Sequence, residues 1–474
     1  MSPPFPPPPP TAVAGGSSTL AAPPAGPSAS SVALVKPPGV PCPPFEYRHG
    51  RRWINTSSIY TAYPLPVDAR ELARQTLLHR LFYTIHGAHH CSPLPPDRQL
   101  RRILDLGCGT GLWCADMSDT VNKHNREVAA RMGEVPVMVE MVGIDLVPVY
   151  TDMTGVRFTF MQHNFLGLPL PFDDGSFDFV LIRDGALAAT SRDVMGGILD
   201  EMVRVLVPGG FYEIHTWDLV IRCLNPPTAS STSGTSSILS VSTSSTSSTT
   251  PPPFYPITST TTLHTSTNPY TTLLNDRLVK TLSNLDLPPF PVTIVPPALT
   301  MIPHSTLVGS RKLALPLDEV TWENPNGGIT TLTTGTTSSS SSHTSSSHPP
   351  HKGSFQRPPP PPRSRAGSQA DGKSVRSAAS TSDIAGAAIT ATDPIATSVL
   401  TPHARATRKI ARMVYVGVVE ALEPMIKREC GIDDEDWDRW WDEAKWDWFE
   451  NGGWRNGECL EMGAWWGVKD LEGG

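Results

Sequence analysis

Three glycines at alternate positions, Gly107, Gly109 and Gly111, follow a hydrophobic run that carries Asp105 near its end. A glycine-rich turn between a strand and a helix presents backbone N–H groups to a polar ligand. The dinucleotide fingerprint spaces its glycines G-x-G-x-x-G. Here the spacing is G-x-G-x-G, with Cys108 between the first two. A carboxylate just ahead of the turn would oppose a pyrophosphate, and it suits a ligand bearing a positive ammonium group. A tight turn that holds nothing is the plainer alternative.

Other positions extend the pattern. In "VGIDLVP", Asp145 stands 34 residues after Gly111 and is followed by Leu146. A carboxylate at the end of the next strand can accept both hydroxyls of a ribose, as in dinucleotide folds. In "QHNF", Asn164 can accept from an adenine amino group. S-adenosylmethionine combines an ammonium group, a carboxylate and a nucleoside, and so fits all three positions. "IRDGALA" puts Arg183 and Asp184 at the end of a fourth strand, and His215, Trp217 and Asp218 follow a fifth. Open α/β sheets bind ligands at that edge. These side chains are candidates to orient an acceptor or take its proton, with caps and loop polar groups as the plainer reading. No catalytic residue is singled out.

The elements that must position these residues alternate. The spacing of apolar residues predicts a helix over 68–85, capped by Asp68, then strands over 101–106, 138–145, 156–161, 177–183 and 208–214. Helices are expected from about 112 and over 193–206. Alternation of this kind means a parallel sheet with helices on both faces. Further along, a helix is predicted over 270–285, a strand over 305–315, a helix over 410–425 kinked at Pro424, another over 437–448, and a last strand over 458–468. Eight of the twelve tryptophans lie between Trp437 and Trp466. So aromatic a segment has to dock, so the last strand is expected in the same sheet.

Composition divides the 474 residues further. Residues 1–44 are rich in Pro, Ala and Ser, 228–253 in Ser and Thr, and 328–399 in Ser, Thr and Pro. These stretches carry too little apolar surface to offset the entropy of ordering them, and are read as disordered. The remaining 45–227, 254–327 and 400–474 then form one α/β domain with two insertions. "FPPPP" at 5–9 and "RPPPPPR" at 357–363 suit an aromatic-lined polyproline-binding partner. The formal net charge of −7 gives no strong nucleic-acid signal. Seven scattered cysteines without a CxxC pair predict no metal site and suit a reducing compartment. No signal segment or membrane span is evident, so a soluble cytoplasmic or nuclear protein is expected.

"ILDLGCGTGLW", "VGIDLVP", "LPLPFDDGSFDFVLIRD" and "VLVPGGFYEI" resemble the successive motifs of class I S-adenosylmethionine-dependent methyltransferases. "GRRW" and "YPLPVDARELARQTLLHRLF" resemble the entry region of the fungal LaeA-like members of that class, matching at Arg51, Arg52, Tyr63, Asp68, Glu71, Arg74 and His79. Val67 stands where that family has Asn, and Asn164 where an acidic residue is usual. The resemblance implies a Rossmann-like sheet and methyl transfer to an unidentified acceptor, a small molecule or a protein, linked to secondary metabolism. It implies cofactor contacts from Tyr63, Asp105, Gly107, Cys108, Gly109, Gly111, Asp145, Leu146, Asn164 and Arg183. Arg74, His79, Asp184, His215 and Trp217 would face the acceptor. A regulatory scaffold that keeps cofactor binding is the alternative; a nicotinamide-dependent oxidoreductase is disfavoured by the glycine spacing.

Overall fold

A computed structural model of the chain describes residues 45–54, 63–187, 192–226, 250–324 and 398–471. The Pro-rich start, both proline runs, and nearly all of the 228–253 and 328–399 tracts lie outside these residues. The exceptions are the tract ends, 250–253 and 398–399.

The chain enters through a hairpin, β1 (Phe45–Arg48) and β2 (Arg51–Ile54). His49 and Gly50 at its tip both have positive φ, 51° and 68°, the geometry whose twist matches paired strands. Arg51 and Arg52 are not a solvated pair. Arg51 makes two 2.9 Å bonds to the Asp68 carboxylate, and Arg52 donates to the Val67 carbonyl. Asp68 also caps α1 (Ala69–His86) by accepting from the Glu71 amide. The two arginines thus fasten the hairpin to the start of that helix.

The sheet follows from β3 (Arg102–Leu106), β4 (Glu140–Asp145), β5 (Phe158–Gln162), β6 (Phe177–Arg183) and β7 (Leu206–Trp217). These five are parallel in the order β5-β4-β3-β6-β7. Short strands β8 (Arg222–Leu224), β9 (Tyr255–Pro256) and β10 (Leu263–Thr265), with β11 (Ser305–Pro316) and β12 (Glu458–Lys469), complete ten. β12 lies between β7 and β11, antiparallel to both. The dinucleotide-binding order has no such reversed strand slotted beside its fifth.

Helices cover both faces. α2 (Leu112–Met132) packs through Trp113, Cys114, Met117 and Val121 on one side. α3 (Arg192–Val205) and α5 (Pro291–Leu299) pack on the other, α5 despite its internal Pro296 and Pro297. α4 (Pro269–Asn284), α6 (Pro402–Cys430) and α7 (Asp434–Phe449) build a third core with α1. α6 continues through Pro424 as one helix. α7 buries Trp437, Trp441, Ala444 and Trp448, and Trp454 stacks on Trp448 at 4.8 Å. Among the described residues, no helix is long and apolar enough to cross a membrane.

Arg408 on α6 is 1% exposed and spends its whole guanidinium on neighbours that flank the insertions. It makes two 2.7 Å bonds to the Glu323 carboxylate and donates to the carbonyls of Asp318, Pro252 and Pro253. Breaking a buried ion pair costs about 3–5 kcal/mol, because the surviving charge stays buried alone. Arg408→Met is therefore expected to lower the melting temperature markedly, and Arg408→Met with Glu323→Met to recover part of the loss. Thermal unfolding of the three chains reads this; a single variant that melts with the native chain would show the clamp to be dispensable.

Candidate active site

The turn after β3 is held in left-handed backbone at all three glycines: φ is 78° at Gly107, 50° at Gly109 and 72° at Gly111. Only glycine takes such angles without strain. At Gly109 a Cβ would also sit 2.9 Å from Gln75 Oε1, so α1 lies directly over the turn. The amides of Gly107 and Cys108 both donate to the Ile144 carbonyl, at 2.9 and 3.0 Å, which ties the turn to β4. Asp145 ends that strand. Its Oδ2 accepts from the Gly109 amide at 2.8 Å and its Oδ1 from the Leu146 amide at 2.7 Å. Each oxygen keeps a further acceptor site. Burial raises the Asp145 carboxyl above its ordinary value, against the pull of those amides.

Over this turn opens a cavity with about 860 Å³ of free space, part of it continuous with solvent. Of the expected contacts, Gly107, Cys108, Gly109, Asp145, Leu146, Asn164, Arg183 and Tyr63 line it, as do Arg74 and Asp184. Asn164 Oδ1 already accepts from the Leu166 amide at 3.1 Å. Gln75, Leu78, Thr110, Phe165, Leu166 and Gly185 also line the cavity. Most are immediate neighbours of predicted residues; Leu78 comes in because α1 returns its inner face every three to four residues.

Five expected residues are elsewhere. Asp105 is 2% exposed and is not on the wall. Its side chain accepts from Cys114 Sγ at 3.4 Å, on the α2 side of the sheet. Burial pushes it up to about 6, opposed by the charge of Arg183. Gly111 is the N-cap of α2, closed in by Tyr150 and Met153. Trp217 donates from Nε1 to Asp184 Oδ1 at 2.8 Å and reaches the cavity only through it. His79 and His215 line a second, smaller cavity.

The cavity wall under α1 is built from charge pairs. Glu71 holds Arg74 with bonds of 2.9 and 2.7 Å, and Asp184 Oδ2 lies 3.6 Å from the same guanidinium. Arg74 is 4% exposed, yet its Nη1 has no partner. Asp184 sits at φ 56°, a conformation Asp tolerates at a cost, and burial raises its carboxyl. Burial also pushes the Tyr63 hydroxyl up, with Glu71 adding to it. Arg183 Nη1 lies 2.9 Å from His79 Nδ1, and His79 Nε2 lies 2.8 Å from Asp116 Oδ2. A guanidinium only donates, so Nδ1 accepts and Nε2–H donates to Asp116. His79 is thus a neutral, single-tautomer support for Arg183.

The reversed β12 and the glycine turn are those of the class I methyltransferase fold, and residues 103–210 match the family described as a methyltransferase domain. The cofactor of that class is S-adenosylmethionine. The chain is 27% identical over 187 residues to the secondary metabolism regulator LAE1 of Cochliobolus heterostrophus, spanning 39% of this chain and 55% of that protein. It is 35% identical over 176 residues to methyltransferase pytC of Aspergillus terreus, spanning 36% and 46%. The chain thus spans about half the length of these curated relatives. A solved structure, the YcgJ protein of Bacillus subtilis, covers 83% of this chain and 99% of its own at 13% identity and a TM-score of 0.31. The fold assignment rests on the strand order instead.

Burial, followed by the charge of Arg183, lowers His79 to about 4 from an ordinary 6.5. Between those values the unfolded chain binds a proton that the folded chain refuses, so stability falls as pH drops from about 6.5 to about 4. His86 and His89 are lowered by burial too and add to the same slope. Urea unfolding across this range should show a shallower slope for His79→Gln than for the native chain. An identical slope would mean that His79 titrates normally and does not hold Arg183.

Proposed function

We propose that the chain binds S-adenosylmethionine in the cavity over the glycine turn and transfers its methyl group to an acceptor that enters beneath α1. The observation that carries this reading is the charge layout of one cavity: a glycine cradle, a carboxylate with acceptor sites to spare, and a buried guanidinium nitrogen without a partner. Asp145 would accept the ribose hydroxyls. Arg74 Nη1 would donate to the amino-acid carboxylate. Phe165 and Leu166 offer apolar surface to the adenine.

When bound, the cofactor supplies a methyl group on a sulfonium, an excellent leaving group. The protein's share is then alignment and a dry pocket. α1 closes the turn from above, and the Glu71–Arg74–Asp184 cluster fixes the wall where an acceptor would lie. A general base is needed only for an acceptor that must lose a proton before attack. The names of the relatives support a tie to the regulation of secondary metabolism, and one, from Emericella nidulans, is named a protein-methionine methyltransferase. The same names favour a second reading, a regulator that binds the cofactor without turning it over. All six described cysteines are free, which suits a reducing compartment, cytoplasm or nucleus.

Calorimetry on the full chain should show binding of S-adenosylhomocysteine and none of NAD; the reverse would overturn the proposal. Hydrogen bonds to a charged group contribute about 1.5–3 kcal/mol. Asp145→Ala is accordingly expected to weaken binding roughly ten- to a hundredfold. Arg74→Gln should weaken S-adenosylhomocysteine but spare 5′-methylthioadenosine, which lacks the carboxylate. Equal losses for both ligands would remove Arg74 from that role. Incubation with a methyl-labelled cofactor and fungal extract separates the two readings, since the regulator reading predicts binding without label transfer.

A further inference from the structure

The second cavity, with about 200 Å³ of free space that is open in part to solvent, lies beside the first, and Arg183 borders both. His79, His86, His89 and His215 line it. His79 is spoken for, because Arg183 and Asp116 use both of its ring nitrogens. It has no lone pair left for a metal, which disqualifies the nearby trio of His79, His89 and Asp116. His86 is the anomaly. Both of its ring nitrogens are buried and neither has a partner. An unsatisfied buried polar group is destabilising, so two on one ring call for something that the protein itself does not provide.

Next to His86, at a ring-centroid distance of 5.2 Å, is His215. Its Nε2 lies 2.9 Å from Glu213 Oε2. Cys91 completes a trio: its sulfur, a Glu213 carboxylate oxygen and a His215 ring nitrogen all lie within 4.8 Å of one another. Glu213 is wholly buried and His215 is 4% exposed. The Cys91 amide reaches both carboxylate oxygens, at 2.8 Å to Oε1 and 3.1 Å to Oε2, and Oε1 also accepts from the Ser92 amide and hydroxyl at 2.6 Å each. An outer shell of this kind orients a metal-binding carboxylate.

From this arrangement we infer a divalent transition-metal site of the Zn²⁺ type at Cys91, Glu213 and His215, separate from the cofactor pocket. Sulfur, imidazole and carboxylate are donors that zinc accepts together, and sulfur argues against magnesium or calcium. The charges balance. On binding, the Cys91 thiol releases its proton to solvent, and thiolate and carboxylate then cancel the two positive charges of the ion. His215 stays neutral, with its remaining proton on Nδ1. The cation packed alongside, Arg311, donates to the His86 carbonyl at 3.4 Å. The fourth position is filled by a water that donates to His86, which satisfies one of the orphaned ring nitrogens. Cys91 lies between α1 and β3 while Glu213 and His215 are on β7, so the ion staples that connection to the sheet next to Arg183.

The inference does not depend on the proposed function. The full chain, stripped with a chelator and reloaded with Zn²⁺, is expected to retain one equivalent by elemental analysis. Reloaded with Co²⁺, it should show the near-ultraviolet charge-transfer band of a cobalt–thiolate bond. Cys91→Ser should abolish that band and weaken Zn²⁺ binding by more than about tenfold while still melting cooperatively. If Cys91→Ser does not fold, His215→Gln in the same assay takes its place. A native chain that retains no stoichiometric zinc and shows no thiolate band would overturn the inference. So would a band that persists undiminished in the variant, since another cysteine would then be the ligand.

Discussion

Arg408 holds the domain together at the places where the chain leaves it. Three segments meet on one guanidinium: Pro252 and Pro253, just after one undescribed stretch, and Asp318 and Glu323, just before another, with Arg408 itself on the helix that follows. All five donors are used, which lets a charge stay in a dry core. Without a common anchor, β11 and the helices of the tryptophan core would be tied to the parallel strands only through their own edges. With it, long interruptions leave the fold as it is, because closing a longer loop costs little once its ends are fixed.

The same economy of shared charges runs through the site. Asp145 is tied to the glycine turn, Arg74 to Glu71 and Asp184, and Arg183 to His79 and through it to Asp116. None of these groups stands alone in the low-dielectric interior, and those that line the cavity keep a face toward it. α1 is central to this arrangement. It contributes Glu71, Arg74, Gln75 and His79, and its start is set by the Asp68 cap that Arg51 grips. A disturbance of the small entry hairpin therefore reaches the cavity wall through a single helix.

How much of this was legible in the sequence depends on how local the signal is. The parallel strands, the glycine turn, Asp145 and the docked last strand could be read directly, because periodicity and motif spacing act within a few residues. Asp105 misled. Its position beside the turn suggested a ligand contact, but strand alternation sends its side chain to Cys114 on the far side. The resemblance marks Arg51 and Arg52 by position, but nothing near them in sequence reveals that Asp68 and Val67, at the start of α1, are their partners. α5 was invisible because Pro296 and Pro297 argue against a helix that packing nonetheless imposes. Cys91 reads as one of the scattered cysteines and His215 as an acceptor candidate, while Glu213 is not singled out; Cys91 and Glu213 stand 122 positions apart, and no spacing rule could join them.

β12 follows every other described strand in the chain, yet it lies in the interior of the sheet, between β7 and β11. During synthesis, β7 and β11 must therefore leave the ribosome with facing edges bare, and they stay so until more than a hundred further residues have been made. Unpaired edges of that kind invite strands from other molecules. The long low-complexity stretch that separates β11 from its eventual partner lengthens this exposed interval. Production of the chain is thus a race between its own last strand and its neighbours, and slow translation past residue 325 favours the neighbours.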